Sequence, residues 1–254
     1  MTLSLFESSL VKLFGFPSLV NIGGPWKTGK TDLALLIAET LLSLNQRGIH
    51  SREDALPSKV ASNIETEDKR VEFVPSLEEL RYWLHGDNRV KLFILDEANV
   101  HAPRRRAMST KNVEIIKILP EVSKAHARMI VVGQELEKID SELMNPTWCR
   151  AVFYKRRLKN ATLISSLFSK ERHFKNLPPT TIPFDPYRIA PFTERPLNRA
   201  ISLFKDEEMS KLWAWCNGTP TRNLGMHNME LNRMVRAFVK RILEPKAREL
   251  KLVT

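Results

Sequence analysis

Cysteine and glycine are scarce in this chain: two cysteines and nine glycines among 254 residues. Cys149 and Cys216 lack the spacing of a metal knuckle or a redox pair. They read as reduced, structural thiols of an intracellular protein, which excludes a disulfide-stapled scaffold. No apolar run approaches the roughly 18–20 residues that span a bilayer. The opening "MTLSLFESSLVKLFGF" has no basic start before an apolar block and already carries Glu7, so it does not read as a signal peptide. Repeats of fixed period and low-complexity tracts are missing as well. A soluble, cytoplasmic globular protein is expected, long enough to bury a full α/β core and carry a small appendage.

What is present in excess is positive charge, and it is unevenly placed. The net charge is +11, yet residues 1–149 hold 19 Lys and Arg against 20 Asp and Glu, whereas residues 150–254 hold 21 against 9. A basic surface of that size fits a polyanion, of which nucleic acid is the commonest.

The chain alternates strand and helix patterns. "PSLVNIGG" is a short strand ending in glycines, and "GKTDLALLIAETLLSL" is helical. Strands follow at "KVASNI" and "RVEFVP", then a helix at "SLEELRYWLHG" with Ser76 as N-cap and Glu79 three residues on. A buried strand, "VKLFILDE", precedes a helix at "KNVEIIKILPEVSKAHA", bent or broken near Pro120. The strand "RMIVVGQ" closes the series. Near-continuous apolar strands alternating with helices imply a mostly parallel sheet covered on both faces. "AVFYKRRLKNATLISSLF" reads as a β-hairpin turning at Lys159-Asn160. Six of the fifteen prolines fall in Pro178–Pro196, an extended arm or linker. The helical, basic remainder completes a division into a core over 1–177, an arm over 178–196 and a C-terminal element over 197–254.

Gly24 to Thr31 reads Gly-Pro-Trp-Lys-Thr-Gly-Lys-Thr, the phosphate-loop pattern G-x-x-x-x-G-K-[ST], between a strand and a helix as that motif requires. In such a loop backbone N–H groups wrap the phosphates and the helix adds its positive end. Gly24, Pro25, Trp26, Lys27, Thr28, Gly29, Lys30, Thr31 and Asp32 are the nucleotide-binding candidates. Lys30 would neutralise the β- and γ-phosphates of ATP, and Thr31 would place its hydroxyl on Mg²⁺. Asp96, ending "LFILD", would hold the same ion through water, and Glu97 can polarise the attacking water. Gln134 ends a strand expected beside the P-loop strand, where its amide would sense the γ-phosphate. A kinase has no need of Glu97 after Asp96, and the N-K-x-D motif of a GTPase does not occur.

Gly24–Thr31, "LFILDE" and the strand-terminal Gln134 resemble the FtsK/HerA superfamily of P-loop ATPases, over roughly residues 18–135. The resemblance implies a RecA-like core, ATP hydrolysis with Mg²⁺, and a ring, commonly a hexamer, that pulls double-stranded DNA. It also implies an arginine finger from a neighbouring subunit, for which Arg104, Arg105, Arg106 and Arg128 are candidates. Pro25-Trp26-Lys27 departs from the small residues usual inside that family's loop. The alternative is an AAA+ ATPase of the replication initiator or loader kind. "NGTPTRNL" slightly resembles the lid motif of that group, in which Arg222 would reach the γ-phosphate.

Two basic regions are candidate DNA contacts. One is the hairpin tip, with Lys155, Arg156, Arg157 and Lys159. The other is the last helical part, with Arg222, Arg233, Arg236 and Lys240, in a segment loosely like a helix-turn-helix. Contacts of this kind would be independent of base sequence and sensitive to salt.

Overall fold

The computed structural model describes residues 3–50, 55–103, 110–188 and 190–193. The chain divides into units 1–196 and 197–254, and the second lies wholly outside the described residues.

In the first unit, the N-terminal segment forms helix α1 (Leu5–Phe14). Sequence reading did not anticipate it, although its signal is present. Ser4 accepts from Glu7 N–H while the Glu7 carboxylate accepts from Ser4 N–H, a complete capping box. Strand β1 (Leu19–Gly23) runs into helix α2 (Lys30–Gln46). Next come β2 (Lys59–Ser62), β3 (Val71–Phe73) and α3 (Leu77–His85), capped by Ser76 as expected. Strand β4 (Lys91–Leu95) leads into the short helix α4 (Ala98–His101), then α5 (Thr110–Lys124) and β5 (Ala127–Val132). Strands β6 (Cys149–Arg157), β7 (Asn160–Ser165) and β8 (Arg172–Phe174) close the unit.

Helix α5 passes through Pro120 without the expected break. Proline removes a single backbone donor there, in the closing turns, and Ile118, Leu119 and Val122 still bury against the sheet. The hairpin turns at Leu158-Lys159, one residue earlier than expected.

The strands form one sheet in the order β3-β2-β4-β5-β1-β6-β7-β8. The pairs β2/β3, β2/β4, β4/β5, β1/β5 and β1/β6 are parallel, while β6/β7 and β7/β8 are antiparallel. The fold is α/β with a mostly parallel sheet. Alternate residues of each central strand serve opposite faces, as the two-residue period of a strand dictates. Val20, Ile22, Leu92, Ile94, Ile130 and Val132 join the core built with α1 and α2. Leu19, Phe93, Leu95, Met129 and Val131 join the core built with α3 and α5. The antiparallel extension is different: Ala151, Phe153 and Leu163 are buried on one side, and Tyr154 and Ile164 are exposed on the other.

Candidate active site

Strand order places the two chemical ends together. β5 alone separates the strand that feeds Gly24 from β4, whose carboxyl end carries Asp96. In a parallel sheet all carboxyl ends lie on one edge, so the loops after β1, β4 and β5 converge. Gly24, at φ +143°, donates its N–H to Gln134 O at 3.2 Å, so the loop entrance is tied directly to the end of β5. Pro25, Trp26 and Lys27 project outward, with Trp26 70% exposed. Gly29, at φ +73°, turns the chain into α2, a conformation that favours glycine.

Lys30 Nζ donates to Pro25 O at 2.7 Å, an acceptor it shares with Thr28 Oγ1 at 2.9 Å. The ammonium is thus folded back over its own loop, in reach of the phosphates the loop would wrap. Burial holds the Lys30 pKa below its ordinary value, against the opposing pull of Asp96 and Glu97.

Thr31 Oγ1 donates to Asp96 Oδ2 at 2.8 Å, so the two Mg²⁺ candidates already touch. Burial raises the Asp96 carboxyl to about 6, offset in part by the hydrogen bonds from Thr31 and from Glu97 N–H. Two hard oxygen donors, one of them a buried carboxyl whose charge lacks solvation, suit a small divalent cation that keeps waters and phosphates as its other ligands. Thr31 and Asp96 would hold the ion. Bound there, it would neutralise charge on the phosphate oxygens.

Glu97 is half-buried and adopts φ +56°, ψ +39°, left-handed geometry uncommon for a residue with a side chain. Strain of that kind costs about 1–3 kcal/mol and persists where surrounding contacts impose it. Here they are the Glu97 N–H bond to Asp96 Oδ1 and two N–H bonds, from Val100 and His101, onto Glu97 O.

Several residues that sequence reading missed hold this arrangement. Asn63, after β2, clasps Asp96 from both sides: its Oδ1 accepts from Asp96 N–H at 2.7 Å, and its Nδ2 donates to Asp96 O at 3.2 Å. Asn99 Oδ1 accepts from Gln134 N–H at 3.0 Å, which links α4 to the end of β5. A buried asparagine just past a strand is the only trace of the first in sequence; the second has none.

The proline-rich segment packs on the core and reaches the site. The carboxylate of Asp32, one of the nucleotide-binding candidates, accepts from Thr180 N–H at 3.0 Å. Glu39 accepts from Thr180 Oγ1 and Thr181 N–H at 3.0 and 2.9 Å. Ile182 and Phe192 are buried, one in each core. Ala190 O meets both His101 Nε2 at 2.7 Å and Asn63 Nδ2 at 3.4 Å. Thr31, Asp96 and Glu97 therefore share a cleft with Ile64, Glu65 and the arm residues Phe184 to Pro186, Arg188, Ala190 and Pro191.

Two expectations are corrected. Arg128 is fully buried, with Nε on Phe14 O at 2.8 Å and Nη1 on His126 O. It lies at the amino end of β5, away from the loops, and cannot be offered to a neighbour. Lys155 is 1% exposed, and its Nζ donates to Leu158 O at 2.5 Å. Its burial lowers its pKa, while Asp32 pulls upward and Lys30 downward, so it stands behind the phosphate loop and is not displayed to DNA. The inward set of β6 (Ala151, Phe153, Lys155) explains this, because strand alternation puts every second residue in the core. Arg156, Arg157 and Lys159 are exposed at the hairpin end. Arg104, Arg105, Arg106, Arg222, Arg233, Arg236 and Lys240 lie outside the described residues. Cys149 is half-buried, its thiol pKa pushed up by burial, and its sulfur accepts from Asn21 Nδ2; Cys216 is not among the described residues.

The structure is similar to the N-terminal domain of zonular occludens toxin from Neisseria meningitidis, at 17% identity and TM-score 0.39, covering 62% of this chain and 87% of that one. It is also similar to the genome packaging NTPase B204 of Sulfolobus turreted icosahedral virus 2, solved with sulfate, at 11% identity and TM-score 0.46 over 64% and 98% of the chains. A third, described as an ATPase, has 10% identity and TM-score 0.47 over 69% and 84%. No family model matches the chain, and no curated protein matches it in sequence.

Proposed function

We propose that the chain hydrolyses ATP with Mg²⁺ and uses the energy to move double-stranded DNA, working as a ring of identical subunits, six by the resemblance to the FtsK/HerA group. One observation carries the nucleotide part: Thr31 and Asp96 meet at 2.8 Å beside a Lys30 folded over its own loop. The backbone N–H groups from Gly24 to Thr31 would bind the phosphates, and Lys30 would follow the β- and γ-oxygens once released from Pro25 O. Glu97 would accept a hydrogen bond from the attacking water and orient it. Gln134, whose backbone is tied to Gly24, would report the γ-phosphate. The exposed Arg156, Arg157 and Lys159 would follow the phosphate backbone, and their positive charge supports a polyanionic partner. Among the described residues no helix is long and apolar enough to cross a membrane.

The test is ATP turnover with and without long duplex DNA over a range of salt. Turnover should rise with DNA, most at low salt, should vanish in Lys30→Ala, and should stall with nucleotide bound in Glu97→Gln. Turnover indifferent to DNA at every salt concentration refutes the motor reading, and normal turnover in Lys30→Ala refutes the nucleotide site.

A further inference from the structure

Arg188 is the one cation among the described residues that line the cleft holding Thr31, Asp96 and Glu97. We propose that it is a catalytic arginine supplied in cis: the arm of each subunit delivers its guanidinium to the γ-phosphate bound on that same subunit, with Glu65 holding it until nucleotide arrives. The inference rests on the ATP-hydrolysis reading above.

Three observations converge. The first is the company Arg188 keeps. It shares the cleft with the proposed water-orienting carboxylate Glu97 and the ion ligands Thr31 and Asp96, and the space there is about 40 Å³. A water needs roughly 10–15 Å³, so that space can hold a few waters. It is where an attacking water would stand, between an acceptor and a cation.

The second is how the arm is fixed. Before Arg188, Thr180 and Thr181 are held by Asp32 and Glu39, and Thr66 Oγ1 donates to Pro183 O at 2.6 Å. After it, Ala190 O is held by His101 and by Asn63, the residue that also clasps Asp96. The segment before Arg188 is therefore tied to α2 and to Thr66, and Ala190 after it is tied through Asn63 to Asp96. Placement of a catalytic group within a fraction of an ångström needs such support.

The third is the nature of its present contact. Arg188 Nη1 meets Glu65 Oε2 at 2.5 Å, with the arginine side chain 58% exposed. An ion pair so open to water is weak, and it competes poorly with a phosphoryl dianion that a guanidinium can grip with two parallel N–H bonds. Glu65 thus acts as a parking place. Transfer of Arg188 would put positive charge where the transition state gathers negative charge on the equatorial oxygens.

The experiment compares steady-state ATP hydrolysis and ATPγS binding in the full chain and in Arg188→Ala, Arg188→Lys and Glu65→Gln. Arg188→Ala should lower kcat by about 100-fold or more, the range seen when one charge-stabilising donor is lost, with ATPγS affinity changed less than about threefold. Arg188→Lys should recover part of kcat, and Glu65→Gln should raise kcat, because the guanidinium is then no longer held away from the nucleotide. Mixing Arg188→Ala with Glu97→Gln subunits should restore no turnover, because each active site then lacks one of its own groups. A wild type that hydrolyses ATP alongside an Arg188→Ala variant within threefold of it overturns the cis arginine and leaves the hydrolysis reading intact. Recovery of activity in the mixed subunits overturns delivery in cis.

Discussion

Gly24 is wedged between two strands, and adding one methyl group there tests whether the loop entrance is as tightly set as its geometry indicates. Its N–H is bonded to Gln134 O, at the end of β5. A Cβ at this position would lie 2.1 Å from the backbone oxygen of Lys155 in β6 and 3.0 Å from the carbonyl carbon. The obstacle is backbone, which cannot rotate away as a side chain would. Relieving it needs a shift of roughly an ångström, which breaks the bond to Gln134 or pulls β1 from β6. Overpacking of this kind costs about 1–3 kcal/mol. The φ of +143° adds about 1–3 kcal/mol for any residue with a side chain. Gly24→Ala should therefore lose about 4 kcal/mol, which for a domain of this size lowers Tm by roughly 10 °C. Gly48→Ala is the control. It too has positive φ, +70°, but open space surrounds it, so only about 1 kcal/mol of backbone strain applies, or about 3 °C. Thermal unfolding followed by circular dichroism reads both, and ATPγS binding should weaken in Gly24→Ala alone. Equal Tm losses in the two variants, or a Gly24→Ala loss under about 2 °C, would refute the reasoning.

Four further outcomes are expected. Lys155→Ala should destabilise by about 2–4 kcal/mol in chemical unfolding without altering the salt dependence of DNA binding, because its amine is buried. Arg157→Ala and Lys159→Ala should instead each reduce the slope of log affinity against log salt by about 1, with stability nearly unchanged. Asn63→Ala should cut kcat by at least about tenfold with a smaller change in KM, since it frees the backbone of Asp96; wild-type kinetics in this variant would remove Asn63 from the site. Asp87 gives the pH dependence. Hydrogen bonds from Arg89 first, then from Lys91 and Lys59, hold its carboxyl well below the usual carboxylate range. A depressed carboxylate stabilises the fold fully above its unfolded pKa of about 4, and that contribution is lost as pH falls toward the folded value. Asp87→Asn should be less stable than wild type at pH 7, and the gap should narrow below about pH 4; a gap that stays constant down to acid pH would count against the linkage.

Local pattern was sufficient for much of this protein. The phosphate loop, Ser76 as a cap, the buried "LFIL" strand ending in Asp96, and the strand beside β1 all follow from runs of a few residues. In each of them periodicity or a short motif encodes the physics directly. The N-terminal helix is equally legible through Ser4 and Glu7, whose three-residue spacing encodes its capping box. Tertiary structure decided the rest. That Asn63 clasps Asp96, that Arg188 shares a cleft with Glu97, and that Arg128 and Lys155 are buried cations depend on partners far along the chain. Charge composition marks an arginine or lysine as basic but not as outward-facing. A single alternation in β6 turned Lys155 inward beside Arg156, and its amine there found the Leu158 carbonyl in place of a phosphate. Burial and partnership are properties of the packed chain, and a one-dimensional pattern carries them only where neighbours in sequence are also neighbours in space.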